Sequence, residues 1–316
     1  MWAFIVRRIL FAIPVFLGAS IALFLLLYVL PGDPAAFVLG DSATPAQLST
    51  LRHTLGLDQP VPLQYVLWLG NLLHGNLGNS LVNDYPVSRL IAQRLPVALQ
   101  LTVGSLLIGC LLGALGGIIA GVRRNSLLVR LVDLANATAI AVPVFWLGLL
   151  LQILVAVKLG WLPAGGYVSF STNPLGCLRS LVLPCITLGV GTAAVLARFL
   201  SNGIRETISN DFILAARAKG LPPRRILLKH VLRNAFIPAI TALGIQFGRL
   251  IGGAVLTEAV FSLPGLGMLL WTALVQRDYF VIQAVTLLAV AAFIVVNLAT
   301  DIAYGVIDPR IRAGRY

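Results

Sequence analysis

Residues able to make or break bonds are few in this chain and poorly placed for it. Its three histidines, His53, His74 and His230, lie far apart, and its three cysteines, Cys110, Cys177 and Cys185, show no Cys-x-x-Cys spacing. Neither set predicts a metal site, and an odd cysteine count predicts no complete disulfide framework. No GxxxxGK[ST] sequence is present to cradle nucleotide phosphates. What the sequence offers instead is charge in unusual places. Arg249 stands alone in an otherwise uncharged run from Asn234 to Thr257, and eight basic residues crowd into 198–233. A lone guanidinium can hold a carboxylate or pair with an acid. A basic loop can meet an acidic partner or lie on anionic lipid.

The elements that must carry these charges follow from composition. Of 316 residues, 59% are hydrophobic and 11% charged, and mean hydropathy is +0.94. Soluble domains carry about 25% charged residues, so this chain lacks the charge to coat a water-soluble enzyme. A helix needs about 20 apolar residues to cross a bilayer. Six stretches meet or approach that length: 9–32, 95–122, 134–157, 180–197, 234–257 and 279–300. The first follows Arg7-Arg8 but outruns a signal peptide's apolar core and ends in Pro31-Gly32-Asp33-Pro34, so it reads as a retained span. The fold class expected is all-α, a polytopic membrane protein with six spans. No histidine and no acid pair falls inside any of them, which argues against an intramembrane enzyme.

Basic residues set the orientation. Six spans put both termini on one side, with Arg7, Arg8, Arg123, Arg124, Arg130, the loop 198–233 and Arg310, Arg312 and Arg315. The opposite side holds Arg52, Arg89, Arg94, Lys158, Arg179 and Arg277, a sixteen-to-six split. Both termini are therefore expected in the cytoplasm. The net charge of +12 reads as an inner-surface excess rather than nucleic-acid binding. Two units are expected: 1–94, a span plus an extracytoplasmic segment, and 95–316, the remaining spans. Within 31–94, Thr44-Pro45-Ala46-Gln47 reads as a capped helix start. Asp133 and Asp301 sit near cytoplasmic span ends, where snorkelling or pairing is the simple expectation.

The loop 198–233 predicts helix, corner, helix. Asn210 offers an N-cap and Asp211 suits the first turn. Leu214, Ala215, Ala216, Arg217 and Ala218 continue the helix, Gly220 supplies a left-handed C′ position, and Leu221-Pro222-Pro223 turns the chain. A second helix is expected from Pro223 to Arg233. Alanines permit close approach of another protein, Phe212 and Leu214 can enter a partner's pocket, and Arg217 and Lys219 can meet acids. The residues alone leave this open against a basic loop lying on lipid.

Asp211-x-x-x-Ala215-Ala216-Arg217-Ala218-Lys219-Gly220-Leu221, followed by Leu232-Arg233-Asn234-Ala235-Phe236-Ile237-Pro238, resembles the EAA loop of ABC importer permeases. Further stretches agree with the first permease subunit of the dipeptide/oligopeptide/nickel group: Leu30–Ala35, Leu55–Pro60, Gly252–Phe261 with Pro264-Gly265-Leu266-Gly267, Arg277-Asp278-Tyr279, and Ile307–Arg312. The resemblance spans nearly the whole chain. Leu214 stands where the motif's glutamate is usual, Pro238 lies further along than in the general importer pattern, and Arg249 stands where a small or apolar residue is expected.

The resemblance implies a type I ABC importer transmembrane domain in a bacterial inner membrane, not itself an enzyme and binding no cofactor. ATP and Mg would be used by two partner ATP-binding subunits. A second, homologous permease would complete the pathway, and an extracytoplasmic binding protein would deliver di- or oligopeptides. Nickel or metal chelates and glutathione are alternative cargoes; a secondary transporter or channel, which would need no partner ATPase, is the remote alternative to an importer subunit. Asp211, Leu214, Ala215, Ala216, Arg217, Lys219, Gly220 and Leu221 would couple to the ATPase. Arg249 would face the pathway or pair within the partner permease. Pro264, Gly265 and Gly267, in a short re-entrant or interfacial helix beside the outer mouth, would help form an outer gate. Glu258 reads as structural or as a binding-protein contact, and Trp271 and Tyr279 as interfacial anchors.

Overall fold

A computed structural model describes residues 2–29, 44–54, 56–123 and 126–307. The motifs at Leu30–Ala35 and 308–312, together with Leu55, Arg124, Arg310, Arg312 and Arg315, lie outside the described residues. Regular structure among the described residues is helical, apart from one isolated antiparallel bridge between Asn79 and Pro86.

The chain runs through α1 (Trp2–Val29), α2 (Pro45–Thr54), α3 (Val61–Leu73), α4 (Val87–Val122), α5 (Leu127–Ala141), α6 (Val144–Leu151, continued by a π-helical stretch Gln152–Lys158) and α7 (Pro174–Ile208). It continues through α8 (Asp211–Ala218), α9 (Pro223–Arg225), a π-helical stretch Ile226–Val231, α10 (Leu232–Gly253), α11 (Val255–Val260), α12 (Leu266–Gln276) and α13 (Tyr279–Ile307). Five helical segments among the described residues are long and apolar enough to cross a membrane: Ile5–Leu25, Val87–Val122, Pro174–Ile208, Pro223–Ile251 and Tyr279–Ile302.

The third expected span departs from the sequence reading. Instead of one helix over 134–157, α5 and α6 meet at a 107° bend. Val142 is extended there (φ −77°, ψ 127°) and Pro143 follows as the cap of α6. Proline has no N–H to give the preceding turn and disfavours helix in the residue before it. The other helices overrun the charge-free stretches. The α4 helix begins eight residues earlier than 95, and α7 runs from 174 to 208. Apolar counting marks the bilayer crossing, whereas the helix continues into water as long as its own hydrogen bonds persist.

The centre of the fold is α4 packed along α7. Gly109, Gly113, Gly117 and Gly121 recur every four residues on one face of α4, and α7 fills that groove. A methyl at Gly117 would lie 2.9 Å from the Leu200 Cβ, and one at Gly121 2.8 Å from the Ile204 Cβ. Small residues let membrane helices approach until their backbones nearly touch, where lipid tails offer no hydrophobic drive. The Arg205 guanidinium then donates to the Ala120 carbonyl at 2.9 Å, closing the end of α4. Cys177 and Cys185 are buried thiols in this core, and Cys110 is a half-buried one.

The first span joins from outside. Arg8 of α1 pairs with Asp301 of α13 at 3.2 Å. At the other end of α1, Phe24 meets Tyr65 and Trp68 of α3, and Ser20 shares a 2.8 Å hydrogen bond with the Tyr65 hydroxyl. The helix start at Thr44 is a reciprocal capping box: the Gln47 N–H donates to Thr44 Oγ1, and the Thr44 N–H donates to Gln47 Oε1 at 2.9 Å.

Candidate functional site

Two polar constructions stand at opposite ends of α7 and α10. One is the short helix α8 with its corner. The other is the stretch from Val255 to Val281, which holds α11, α12 and the start of α13.

Asp211 opens α8 with its charge on the helix's positive end. Asn210 occupies the cap position with its backbone alone: the Ile213 N–H reaches the Asn210 carbonyl at 3.0 Å, and the expected side-chain cap is not made. The helix ends as the sequence predicts. Gly220 is left-handed (φ 74°), its N–H reaches the Arg217 carbonyl at 2.9 Å, and the Leu221 N–H reaches the Ala216 carbonyl at 3.3 Å. This is a Schellman ending, which favours glycine because a Cβ is strained at that φ.

The faces of α8 divide clearly. Ile213 and Ala216 are buried against Leu200 and Ile204 of α7 and against Ile226 and Val231, and half-buried Leu221 packs on the same cluster. Asp211, Phe212, Leu214, Ala215, Arg217 and Lys219 face outward. Ala216 thus belongs to the attachment, and Ala215 and Ala218 are the small residues on the free face. The second half of the loop also differs from expectation. Pro223 to Arg233 is not a separate helix but the root of the long helix that becomes α10, reached through one π-helical stretch. The inward face of α8 therefore packs on α7 and on the root of α10 together.

Arg249 lies on an exposed stripe of α10 with Thr241 and Ile245, four residues apart. It makes no hydrogen bond or ion pair with another described residue. A charge within a span costs about 2.5–3.5 kcal/mol on insertion scales, a cost that contact with protein or water relieves.

At the other end the fastening is ionic. Glu258 of α11 is 1% exposed and accepts the Met268 N–H at 2.7 Å. Its carboxylate sits on the N-terminus of α12, where free N–H groups and the helix dipole favour negative charge. Gly265 and Gly267 make this possible. A Cβ on Gly265 would strike the Glu258 carboxylate, and one on Gly267 would lie 2.9 Å from the Val255 Cα. Pro264 is half-buried beside them. Burial pushes the Glu258 carboxyl above its ordinary range, and the Met268 and Gly267 N–H groups and the Arg94 guanidinium draw it partly back.

Asp278 repeats the device. It is 3% exposed, accepts the Ser80 hydroxyl and the Leu81 N–H, and stands just before α13. It thereby ties the turn at 79–86 to the start of α13. The preceding Arg277 is left-handed (φ 54°). Trp271 is exposed, whereas Tyr279 is buried, so Tyr279 is a packing residue and not the interfacial anchor its type suggested. Sequence reasoning missed the role of Asp278 and the position of Arg94. The signal available for the former was its place immediately before an apolar helix.

Between these groups lies a cavity of about 480 Å³, lined by Arg94, Glu258, Asp278, Thr272 and Gln276 among others. A second, of about 400 Å³, lies between Phe24, Trp68 and Phe280.

Comparison with known proteins gives a consistent picture. The family model described as "binding-protein-dependent transport system inner membrane component" matches residues 113–313, and that of the N-terminal part of such membrane components matches 1–102. A putative peptide transport system permease protein of Brucella abortus (strain 2308) is 42% identical over 312 residues, covering 99% of each chain. The di/tripeptide transport system permease protein DppB of Pseudomonas aeruginosa (strain UCBPP-PA14) is 38% identical over 100% of each chain. The glutathione transport system permease protein GsiC of Salmonella paratyphi A (strain ATCC 9150 / SARB42) is 41% identical over 98% of each. Among solved structures, the MetNI methionine ABC transporter in an inward-facing conformation superposes with a TM-score of 0.58 at 23% identity, over 69% of this chain and 96% of that one.

Proposed function

Because the chain belongs to the family of binding-protein-dependent transport system inner membrane components, we propose that it carries short peptides across the inner membrane, driven by ATPase subunits that grip α8. It is a membrane component of an ABC importer, and its relatives are named permeases. ATPase subunits and an extracytoplasmic binding protein are its general partners. The finer reading is that a second, homologous permease completes the pathway, that two ATP-binding subunits serve the pair, and that both termini and the 198–233 loop face the cytoplasm. The sixteen-to-six distribution of basic residues supports that orientation. Full-length identity to peptide permeases supports the cargo.

The observation that carries the coupling role is the division of α8 into two faces. Ile213 and Ala216 fasten it to α7 and to the root of α10, while Phe212 and Leu214 stand exposed with Ala215 between basic and acidic neighbours. A partner that binds the outward face moves the spans through the inward one. Asp211, Arg217 and Lys219 supply charge at the rim, and Gly220 and Leu221 hold the angle of the corner. Two arrangements of the spans, biased by nucleotide, then give alternating access.

In the same reading Arg249 faces the pathway and holds a peptide carboxylate as it passes, and the segment around Pro264, Gly265 and Gly267 closes the outer mouth. A Phe212→Ala/Leu214→Asp double variant should stay folded, lose ATPase subunits on purification and import no labelled dipeptide. Wild-type import by that variant would remove the coupling role from α8. Arg249→Gln with unchanged transport would remove Arg249 from the pathway. The comparable identity to a glutathione permease makes glutathione the second cargo to test in the same vesicles.

A further inference from the structure

The 480 Å³ cavity beside α12 is lined by a guanidinium that no described residue clasps. Arg94 is half-buried and lines the cavity, yet it makes no hydrogen bond or ion pair with another described residue. Arginine presents five donors in a planar fork matched to a carboxylate. The nearby acids do not use it. Glu258 is spent on the N-terminus of α12, and Asp278 on Ser80, Leu81 and the start of α13. Arg94 acts on Glu258 through space without closing to an ion pair.

Its position is fixed by the helix that carries it. The 36 residues of α4 span about 54 Å, well beyond the ~30 Å hydrocarbon core. Arg94 lies in the first turns of that excess, at the end where Glu258 and Asp278 also sit. Exposed Asn83, Thr272 and Gln276 add neutral hydrogen-bonding groups to the cavity wall, and Leu90 and Leu269 add apolar ones. The volume is that of a small-molecule site.

The charges select the ligand. A simple anion gains Arg94 but meets the field of two buried carboxylates. A simple cation meets Arg94. A molecule with a carboxylate at one end and an ammonium at the other satisfies both signs, and the ends of a free peptide carry those charges at neutral pH. We propose that this cavity is a subsite for a zwitterionic short peptide, with Arg94 clasping its terminal carboxylate before the peptide enters the spans.

The proposal deepens the peptide-import reading and rests on it. Its test uses the whole permease–ATPase complex in lipid nanodiscs, without binding protein, titrated with alanyl-alanine and with its C-terminal amide. Alanyl-alanine should bind, and the amide at least tenfold more weakly. Arg94→Gln should erase that difference by weakening only the free acid, and Arg94→Lys should fall between. Thr272→Trp, at an exposed position on the wall, should block both ligands without touching a charge. Arg89→Glu, exposed on the same helix and outside the cavity, should change neither affinity.

Equal alanyl-alanine affinity in wild type and Arg94→Gln overturns the subsite. So does an Arg94→Gln effect confined to the binding-protein concentration needed for half-maximal import, which would make the cavity a protein-docking site. Import of labelled alanyl-alanine by wild-type vesicles is run in parallel with binding protein. If wild type imports while the complex alone binds none, the subsite falls and the function stands. If wild type imports no peptide yet the complex binds one through Arg94, the function falls and the subsite stands.

Discussion

The two ends of α7 and α10 are fastened by opposite means. At the loop end, α8 is held by Ile213 and Ala216 pressed into an apolar cluster. At the α12 end, Glu258 and Asp278 hold the chain through buried, charge-assisted hydrogen bonds. Apolar contact is non-directional and scales with area, so a helix held that way is carried as a block by whatever moves it. A buried carboxylate is particular about which N–H it faces, and leaving that group unpaired is costly. The difference suits a part that is pushed against a part that must keep its shape.

The sharpest way to break the comparison is to exchange the chemistry. Ile213→Asp puts a charge into the apolar cluster and should cost about 4 kcal/mol or more, read as a large fall in the melting temperature of the purified complex and loss of exchange protection over 211–231. Glu258→Ala comes next, at about 2–4 kcal/mol, from the lost charge-assisted bonds and the space left behind. Ser80→Ala should cost about 1.5–3 kcal/mol, since the Leu81 N–H still serves Asp278. Leu214→Ala is the mildest for stability, within about 0.5 kcal/mol, while reducing coupled ATPase activity. A strong destabilisation by Leu214→Ala would mean that the outward face of α8 is not free.

Acidity sharpens the contrast without mutation. The folded Glu258 carboxyl sits above its ordinary value of 4.5 because it is buried. The folded chain therefore keeps that proton at a pH where the unfolded chain has released it. Its contribution is full below 4.5 and is lost as pH rises through the raised value. Exchange protection of 258–268 should fall over that interval, and Glu258→Gln should flatten the slope. Protection of 213–221 should stay level, since its attachment is apolar.

How much of this the sequence disclosed depends on how local the cause is. A bilayer demands long apolar runs, so the crossings were readable from composition, but the helix ends beyond the hydrocarbon were not. The break at Pro143 carried a local signal that an apolar count overrode. Gly220 announced its corner because the left-handed turn needs little beyond the residue itself. The inward face of Ala216 and the outward face of Ala215 depend on α7 and on Ile226, far away in sequence, and were not legible. Glu258 and the glycines at 265 and 267 form one device only when the intervening turn folds back. Arg94 entered the sequence reading as one basic residue among several, since nothing in its neighbours reveals that the nearby acids are already engaged.

The glycine face of α4 has a consequence for how the protein is made. Its partner α7 ends 86 residues after α4 does, with α5 and α6 emerging in between. At about 5–20 residues per second, the ribosome needs roughly 4–17 s to supply it. For that interval α4 stands in the membrane with its backbone groove bare, open to any other helix whose side chains can fill it. Release of the nascent chain into a crowded bilayer is thus the stage at which this permease is most exposed to wrong company, and α7 is the segment whose arrival ends it.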